Sequence, residues 1–334
     1  MLSRQLKLRV ASVALALVAA VGVHLVWFLF VNTATGQAID RAAFEGALMG
    51  QNRWWQVGRP VLEIVSNTLI GVGAVAAVVI ALTRRRAWLA VQALLVIVGA
   101  NVSTQLVKDL YNRPRLLTGW TGHNSLPSGH TTVVAAASLA LLLTVPRRWR
   151  VPVAVLGAVW TLLTGLSTLV GRWHRPADVV AALLVACFWG ALACLIGSEH
   201  SLDPPLAIRS RTNAITAWVL AGIAAVSTLV ALGALRRLSQ LRSTPDDGAS
   251  LVADILAQGE LTAYIGGIAA VFASVFGVFA ALLWLRNATL KAVITPQYYD
   301  NSAFAGYGAN RANVTEPLPT PVTVAGNGVI KGEM

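Results

Sequence analysis

Three short stretches of this chain carry side chains that could do chemistry together. Ser128, Gly129 and His130 follow Pro127 at the head of an apolar run. Proline stops a preceding helix and serine is a natural N-cap. The first amides of a helix are unpaired and point outward, so this head is a ready anion site with an imidazole beside it. Farther on, "HRPAD" spans His174 to Asp178. Pro176 suits the first turn of a helix and Asp178 lies within that turn. A carboxylate four residues on can hold one ring nitrogen of His174 and free the other as a nucleophile. The third stretch supplies positive charge from Lys108, Arg113 and Arg115. Arginine grips phosphate oxygens with two N–H groups, and lysine acts as a point charge. Two histidines, an aspartate and a cationic cradle suit metal-free phosphoryl transfer. One imidazole attacks phosphorus, the other protonates the leaving oxygen, and the cations with the helix N-terminus hold the developing charge.

Rival phosphoryl chemistries lack their residues. There is no cysteine nucleophile followed by a phosphate loop, no cluster of acids and histidines for two metals, and no GxxxxGK[ST]. Cys187 and Cys194 stand in one apolar run, roughly 10 Å apart along a helix and too far for a disulfide, so they read as packing residues.

The elements that must position these residues are membrane helices. Of 334 residues 56% are hydrophobic and 12% charged, and the mean hydropathy is +0.66. Soluble domains rarely have this composition. The formal charge is +12, but the basic residues sit in short clusters between apolar runs, which is the pattern of topology signals and not of a nucleic-acid surface. About eight runs approach the roughly 20 residues a span requires, near 10–32, 61–83, 87–107, 129–145, 151–170, 178–197, 214–235 and 262–285. The fourth is short. The expected fold is therefore all-α, a polytopic helical bundle. The first run exceeds a usual signal-peptide core, so an uncleaved helix is expected despite the small residues Ala34 to Ala38.

Charge orients the spans. With the N-terminus inside, the inner segments hold Arg4, Lys7 and Arg9; Arg84 to Arg86; Arg147, Arg148 and Arg150; Arg209 and Arg211; and the tail from Arg286. Lys108, Arg113, Arg115, Arg172 and Arg175 then fall outside, in the two loops that carry the histidines. Function explains that breach of the positive-inside rule; nothing explains Arg236, Arg237 and Arg242. The tryptophans at span ends, Trp54, Trp55, Trp88, Trp120, Trp149 and Trp173, read as an aromatic belt. Residues 287–334 lose periodicity and read as a disordered cytoplasmic tail, which would keep the sequon at Asn313 inside.

Taken together, these stretches resemble the type 2 phosphatidic acid phosphatase family, the lipid phosphate phosphatases related to vanadium haloperoxidases. Its three blocks are Lys with Arg-Pro after six residues, then Pro-Ser-Gly-His, then Ser-Arg followed by His and Asp. The resemblance covers about 87–197. The middle block matches at Pro127, Ser128, Gly129 and His130. In the first, Arg115 keeps the spacing from Lys108, but Leu116 replaces the proline and the Arg-Pro pair is Arg113-Pro114. In the third, Ser167, His174 and Asp178 keep the spacing while Thr168 takes the arginine position, with Arg172 or Arg175 offering charge nearby.

The resemblance implies a six-helix core over residues 1–200, with 201–286 as an additional helix pair. It implies His174 as nucleophile forming a phosphohistidine, Asp178 orienting it, and His130 as general acid. Lys108, Arg115, Ser128 and Gly129 would bind phosphate, with Arg113 and Arg172 assisting. No metal or cofactor is implied. The expected partners are membrane lipids and a lipid-phosphate or polyprenyl diphosphate substrate, met at the extracytoplasmic face of the cell membrane. The alternative is a non-catalytic relative that binds or moves phospholipid, motivated by Thr168 and Leu116 and opposed by the retained His130, His174 and Asp178. An unrelated transporter is disfavoured because span interiors carry almost no ionisable residue besides Glu63 and His24. Among the remaining polar residues, His123 reads as a loop histidine, Glu63 and Asn67 as an interface or pocket wall, and His24 as a helix-packing histidine.

Overall fold

Backbone polar groups in lipid must satisfy one another, and this chain does so with helices: among the described residues there is no strand. The computed structural model describes residues 4–49, 51–64, 67–117, 124–196, 211–241 and 248–292. In chain order the helices are α1 Arg4–Phe30, α2 Ala34–Gly46, α3 Gln51–Ile64, α4 Asn67–Thr83, α5 Ala87–Leu110, α6 Gly129–Thr144, α7 Arg150–Val170, α8 Pro176–Leu195, α9 Arg211–Ser239, α10 Gly248–Gln258 and α11 Glu260–Ala292. Six of them, α1, α5, α7, α8, α9 and α11, are long and apolar enough to cross a membrane, and α4 and α6 are shorter apolar helices. The architecture is an all-α polytopic bundle.

Hydrogen bonds between distant segments sort the helix ends. At one end, Arg84 Nη1 donates to the Thr144 carbonyl at 2.5 Å and Trp88 Nε1 to the Ile196 carbonyl at 3.0 Å. There too Arg150 Nη1 and Asn213 Nδ2 both donate to Asn287 Oδ1, at 3.4 and 3.1 Å. At the other end, Trp27 Nε1 donates to the Asn112 carbonyl at 3.0 Å, and Gln37 Nε2 to the carbonyls of Val31 and Pro114 at 2.7 and 2.8 Å. Thus α1, α5, α7 and α9 run one way and α4, α6, α8 and α11 return. Both histidine-bearing loops lie at the second end.

Three helices were not expected from apolar runs. In α2, Thr33 Oγ1 accepts from the Gly36 amide at 3.0 Å as N-cap. Its buried face is Ala38, Ala42 and Ala43, set against Leu238, Leu251, Ile255 and Ala263. Buried alanines interrupted by Gln37, Asp40, Arg41 and Glu45 leave no hydropathy run to see. The helix α3 contains Pro60 and takes residues 61–64 from the expected second span; residues 65–66 lie outside the described residues. The helix α10 has only 11 residues.

The core is packed with small residues that let helices approach closely, including Ala100, Ala135, Ala136, Ala158 and Ala186, interleaved with Leu139, Leu183 and Phe279. Met1–Ile294 is one compact unit, in which α11 packs on α2, α7, α8 and α9. Helix α11 also runs on to Ala292, past Asn287 where the tail was expected to begin; the remainder, 293–334, lies outside the described residues. His24 Nδ1 meets the Tyr111 hydroxyl at 3.1 Å, and Trp27 stacks on Tyr111 at 4.7 Å, so His24 packs α1 against the end of α5. Glu63 is exposed and paired with Arg59 on its own helix at 2.8 Å. The side chain of Asn67 lies outside the described residues.

Close approach of α11 to α8 depends on Gly267, where an added Cβ would overlap the Pro176 ring at the head of α8. Alanine improves helix propensity by up to about 1 kcal/mol, whereas overpacking against a rigid ring costs about 1–3 kcal/mol. Gly267→Ala should therefore lower the melting temperature in detergent; an unchanged or raised value would refute this contact.

Candidate active site

The loop Asn124–Pro127 is fixed before it reaches α6. Asn124 Nδ2 donates to the Tyr111 carbonyl at 2.6 Å, and Asn124 Oδ1 accepts from the Leu126 amide at 3.3 Å. Ser128 then caps α6: it is fully buried, and its Oγ accepts from the Thr131 amide at 3.4 Å. Its own amide donates to the Asp178 carbonyl at 2.9 Å, which ties the head of α6 to the first turn of α8. Gly129 opens the helix. A Cβ there would stand 3.9 Å from Lys108 Nζ, so the ammonium lies beside the free amides of the α6 N-terminus. His130 follows, half-buried against Trp173 at 5.5 Å between ring centroids.

The second loop leaves α7 through a tight turn in which the amides of Trp173 and His174 both donate to the Thr168 carbonyl, at 2.9 and 3.2 Å. Arg172 adopts φ 57°, a left-handed conformation that costs a non-glycine residue roughly 1–2 kcal/mol. The turn aims its guanidinium outward onto Glu45 of α2 and over the Phe44 ring at 4.5 Å. His174 emerges with its side chain largely covered, and Nδ1 stands 3.1 Å from Asp178 Oδ2.

Asp178 Oδ2 also accepts from the Arg175 amide at 3.0 Å and from Ser125 Oγ at 2.7 Å. Ser125 Oγ in turn accepts from Arg175 Nη1 at 3.0 Å. The hydroxyl proton must therefore go to Asp178. A fully buried carboxylate receiving these donors is ionised, so the shared proton with His174 sits on Nδ1 and leaves Nε2 with its lone pair free. The His130 and His174 rings are 6.4 Å apart, centroid to centroid. That separation can bracket one phosphoryl group. One ring nitrogen comes within the ~3–3.5 Å of attack, and the other within the ~2.6–3.2 Å of a proton transfer.

The expected site residues thus divide. His174, Asp178, His130, Ser128, Gly129 and Lys108 come together. Arg113 is buried against Asp40 of α2 at 3.6 Å, and Arg172 is engaged with Glu45. Arg115 is exposed, and among the described residues no contact joins it to the histidines. Thr168, at the arginine position of the third block, is fully buried with its hydroxyl on the Gly165 carbonyl at 2.7 Å. Arg175, not Arg172, is the arginine joined to Asp178 through a shared partner. His123 and Trp120 lie outside the described residues.

Sequence reasoning missed Ser125, although it stands three residues before Ser128, and it gave Trp55 and Trp173 only a belt role. Those two rings meet edge to face at 6.0 Å, and Trp173 lies against His130. Hydrogen bonds to charged groups are worth about 1.5–3 kcal/mol, so Ser125→Ala should lower phosphate release on the order of 10-fold or more. The loss should fall mainly on kcat and be accompanied by a lower melting temperature, since a donor to a buried charge is removed; a change confined to KM would contradict this orienting role.

No curated protein and no solved structure matches the chain. A family model does: residues 89–201 match the PAP2 superfamily. The matched stretch runs from α5 to just beyond the end of α8 and contains Lys108, both histidines and Asp178. The match to the PAP2 superfamily is consistent with a type 2 phosphatidic acid phosphatase relative and supports a phosphatase-type activity.

Proposed function

We propose that this protein is a membrane lipid-phosphate phosphatase that hydrolyses a phosphomonoester or pyrophosphate through a phosphohistidine. The observation that carries the reading is the 3.1 Å bond from His174 Nδ1 to a buried Asp178, with His130 6.4 Å away at a helix N-terminus. In the first step His174 Nε2 bonds to phosphorus as the P–O bond to the lipid breaks, and His130 gives the leaving oxygen its proton. In the second, His130 takes a proton from water, whose oxygen displaces His174 and releases inorganic phosphate. Lys108 and the first amides of α6 hold the equatorial oxygens. Both imidazoles return to their starting states, and the chain's residues complete the cycle with water alone.

A lipid substrate is supported by the setting. The histidine loops close the end of a bundle whose outer faces expose apolar side chains such as Leu17, Val21, Leu229 and Val230. The opposite end carries Arg84, Arg85, Arg147 and Arg148, which supports an extracytoplasmic placement of the site in a multi-pass cell-membrane protein. Phosphatidic acid, phosphatidylglycerol phosphate and a polyprenyl diphosphate all present the required group on an apolar anchor.

Phosphate release in detergent micelles with EDTA present, run on those three lipids, tests the proposal. Wild type should release phosphate and His174→Ala should release none. His130→Ala should lose about 10²–10⁴ in rate with poor leaving groups and much less with good ones. Retained phosphohistidine after acid-free quenching would identify the nucleophile. Binding of the lipids without release by wild type would instead establish the non-catalytic alternative, in which the neutral Thr168 would be decisive.

A further inference from the structure

The reaction scheme fixes where the leaving group must lie. His130 gives its proton to the oxygen that leaves, so whatever that oxygen carries stands close to the His130 ring. The ring set against His130 is that of Trp173, with centroids 5.5 Å apart and planes tilted by 49°. Trp173 is 50% exposed, so a large part of its surface is open to a ligand. It meets Trp55 edge to face at 6.0 Å. Beside His130 the two indoles therefore make one aromatic wall.

Trp55 comes from α3, outside residues 89–201. That helix packs on α7. It sets Trp55, Gly58 and Leu62 on one covered face, at i, i+3 and i+7, and leaves Trp54, Val57 and Ile64 exposed. The approach is close because α7 ends at Gly171, where an added Cβ would overlap the Trp55 ring. One turn along α3, a Cβ on Gly58 would stand 3.2 Å from Ser167 Oγ. An aromatic belt accounts for Trp54, which faces outward. It does not account for Trp55, which turns in toward the residue before His174.

We propose that Trp55 and Trp173 form the leaving-group wall of the site and determine its specificity: the first carbons of a lipid alcohol lie on these rings, and the substrate is the phosphomonoester of that alcohol and not a diphosphate. The inference rests on the proposed function for the role of His130. Carbon laid on the indoles gains by leaving water. A diphosphate would put a second phosphate beside His130 instead, and aromatic faces carry partial negative charge. Lys108, set beside Gly129, serves the phosphoryl group that is transferred.

The experiment uses the full chain in detergent micelles and the alkylphosphonates from ethyl to pentyl. These carry carbon where the leaving oxygen would stand and are not hydrolysed, so calorimetry reads their binding without turnover. The kcat/KM values of the matching alkyl phosphates are measured in parallel. Wild type should gain about 2–4-fold per methylene in both series. Trp173→Ala and Trp55→Ala should each bring that gain below about 1.5-fold per methylene. A merely structural loss would weaken every member alike and leave the gain per methylene in place. No binding, no gain in wild type, or an undiminished gain in the variants would overturn the proposal. Should Trp55→Ala fail to fold, Trp173→Ala carries the test, because its half-exposed ring leaves no core cavity. Farnesyl phosphate should also be turned over with a higher kcat/KM than farnesyl diphosphate, and the reverse order would overturn the substrate class. A wild type that binds the phosphonates with this gain but releases no phosphate would strike the functional reading alone. One that releases phosphate without the gain would strike the wall alone.

Discussion

The buried carboxylate of Asp178 ties together segments that the chain itself keeps far apart. Its side chain gathers Ser125 from the loop before α6, His174 from the turn after α7, and the Arg175 amide at the head of α8. Its main-chain carbonyl takes the Ser128 amide as well. An ionised carboxylate at zero exposure needs donors, and here all three side-chain contacts converge on Oδ2 while Oδ1 accepts none. The constraint therefore works in both directions. The loops must come to Asp178 to neutralise it, and in coming they deliver two imidazoles to one cleft.

The same economy of buried charge explains where the arginines go. In apolar surroundings a guanidinium without an anion is expensive, so Arg113 is drawn to Asp40 and Arg172 to Glu45. Arg172 accepts an unfavourable backbone conformation to reach its partner. Positive charge near the phosphate position is left to Lys108 and to the α6 N-terminus, which carries its partial charge without any desolvation of a side chain.

Much of this was legible beforehand, for identifiable reasons. Spans betray themselves because lipid demands long apolar runs, so α1, α5, α7, α8, α9 and α11 stand near their expected positions. Ser128, His174 and Asp178 were legible because each makes a contact with a neighbour in sequence, a cap within three residues and a histidine–carboxylate pair within four, and Gly129 and His130 because they follow that cap directly. The misses share the opposite property. Asp40, Glu45 and Ser125 act on residues 50 or more positions away, and spacing says nothing about such contacts. Helix α2 escaped notice because its buried face is alanine, and α3 because Pro60 and polar residues interrupt its pattern.

Both partners that α2 lends to the loop arginines lie well before the matched region, and α11, which closes against the head of α8, lies well after it. The part of the chain that is recognisable by likeness is therefore not the part that can stand by itself. A fragment trimmed to residues 89–201 would keep every motif residue and yet bury Arg113 without Asp40 and lose the brace behind Pro176. Grafting the motif onto another bundle would meet the same obstacle. For this protein the unit of inheritance is smaller than the unit of assembly, and the flanking helices belong to the latter.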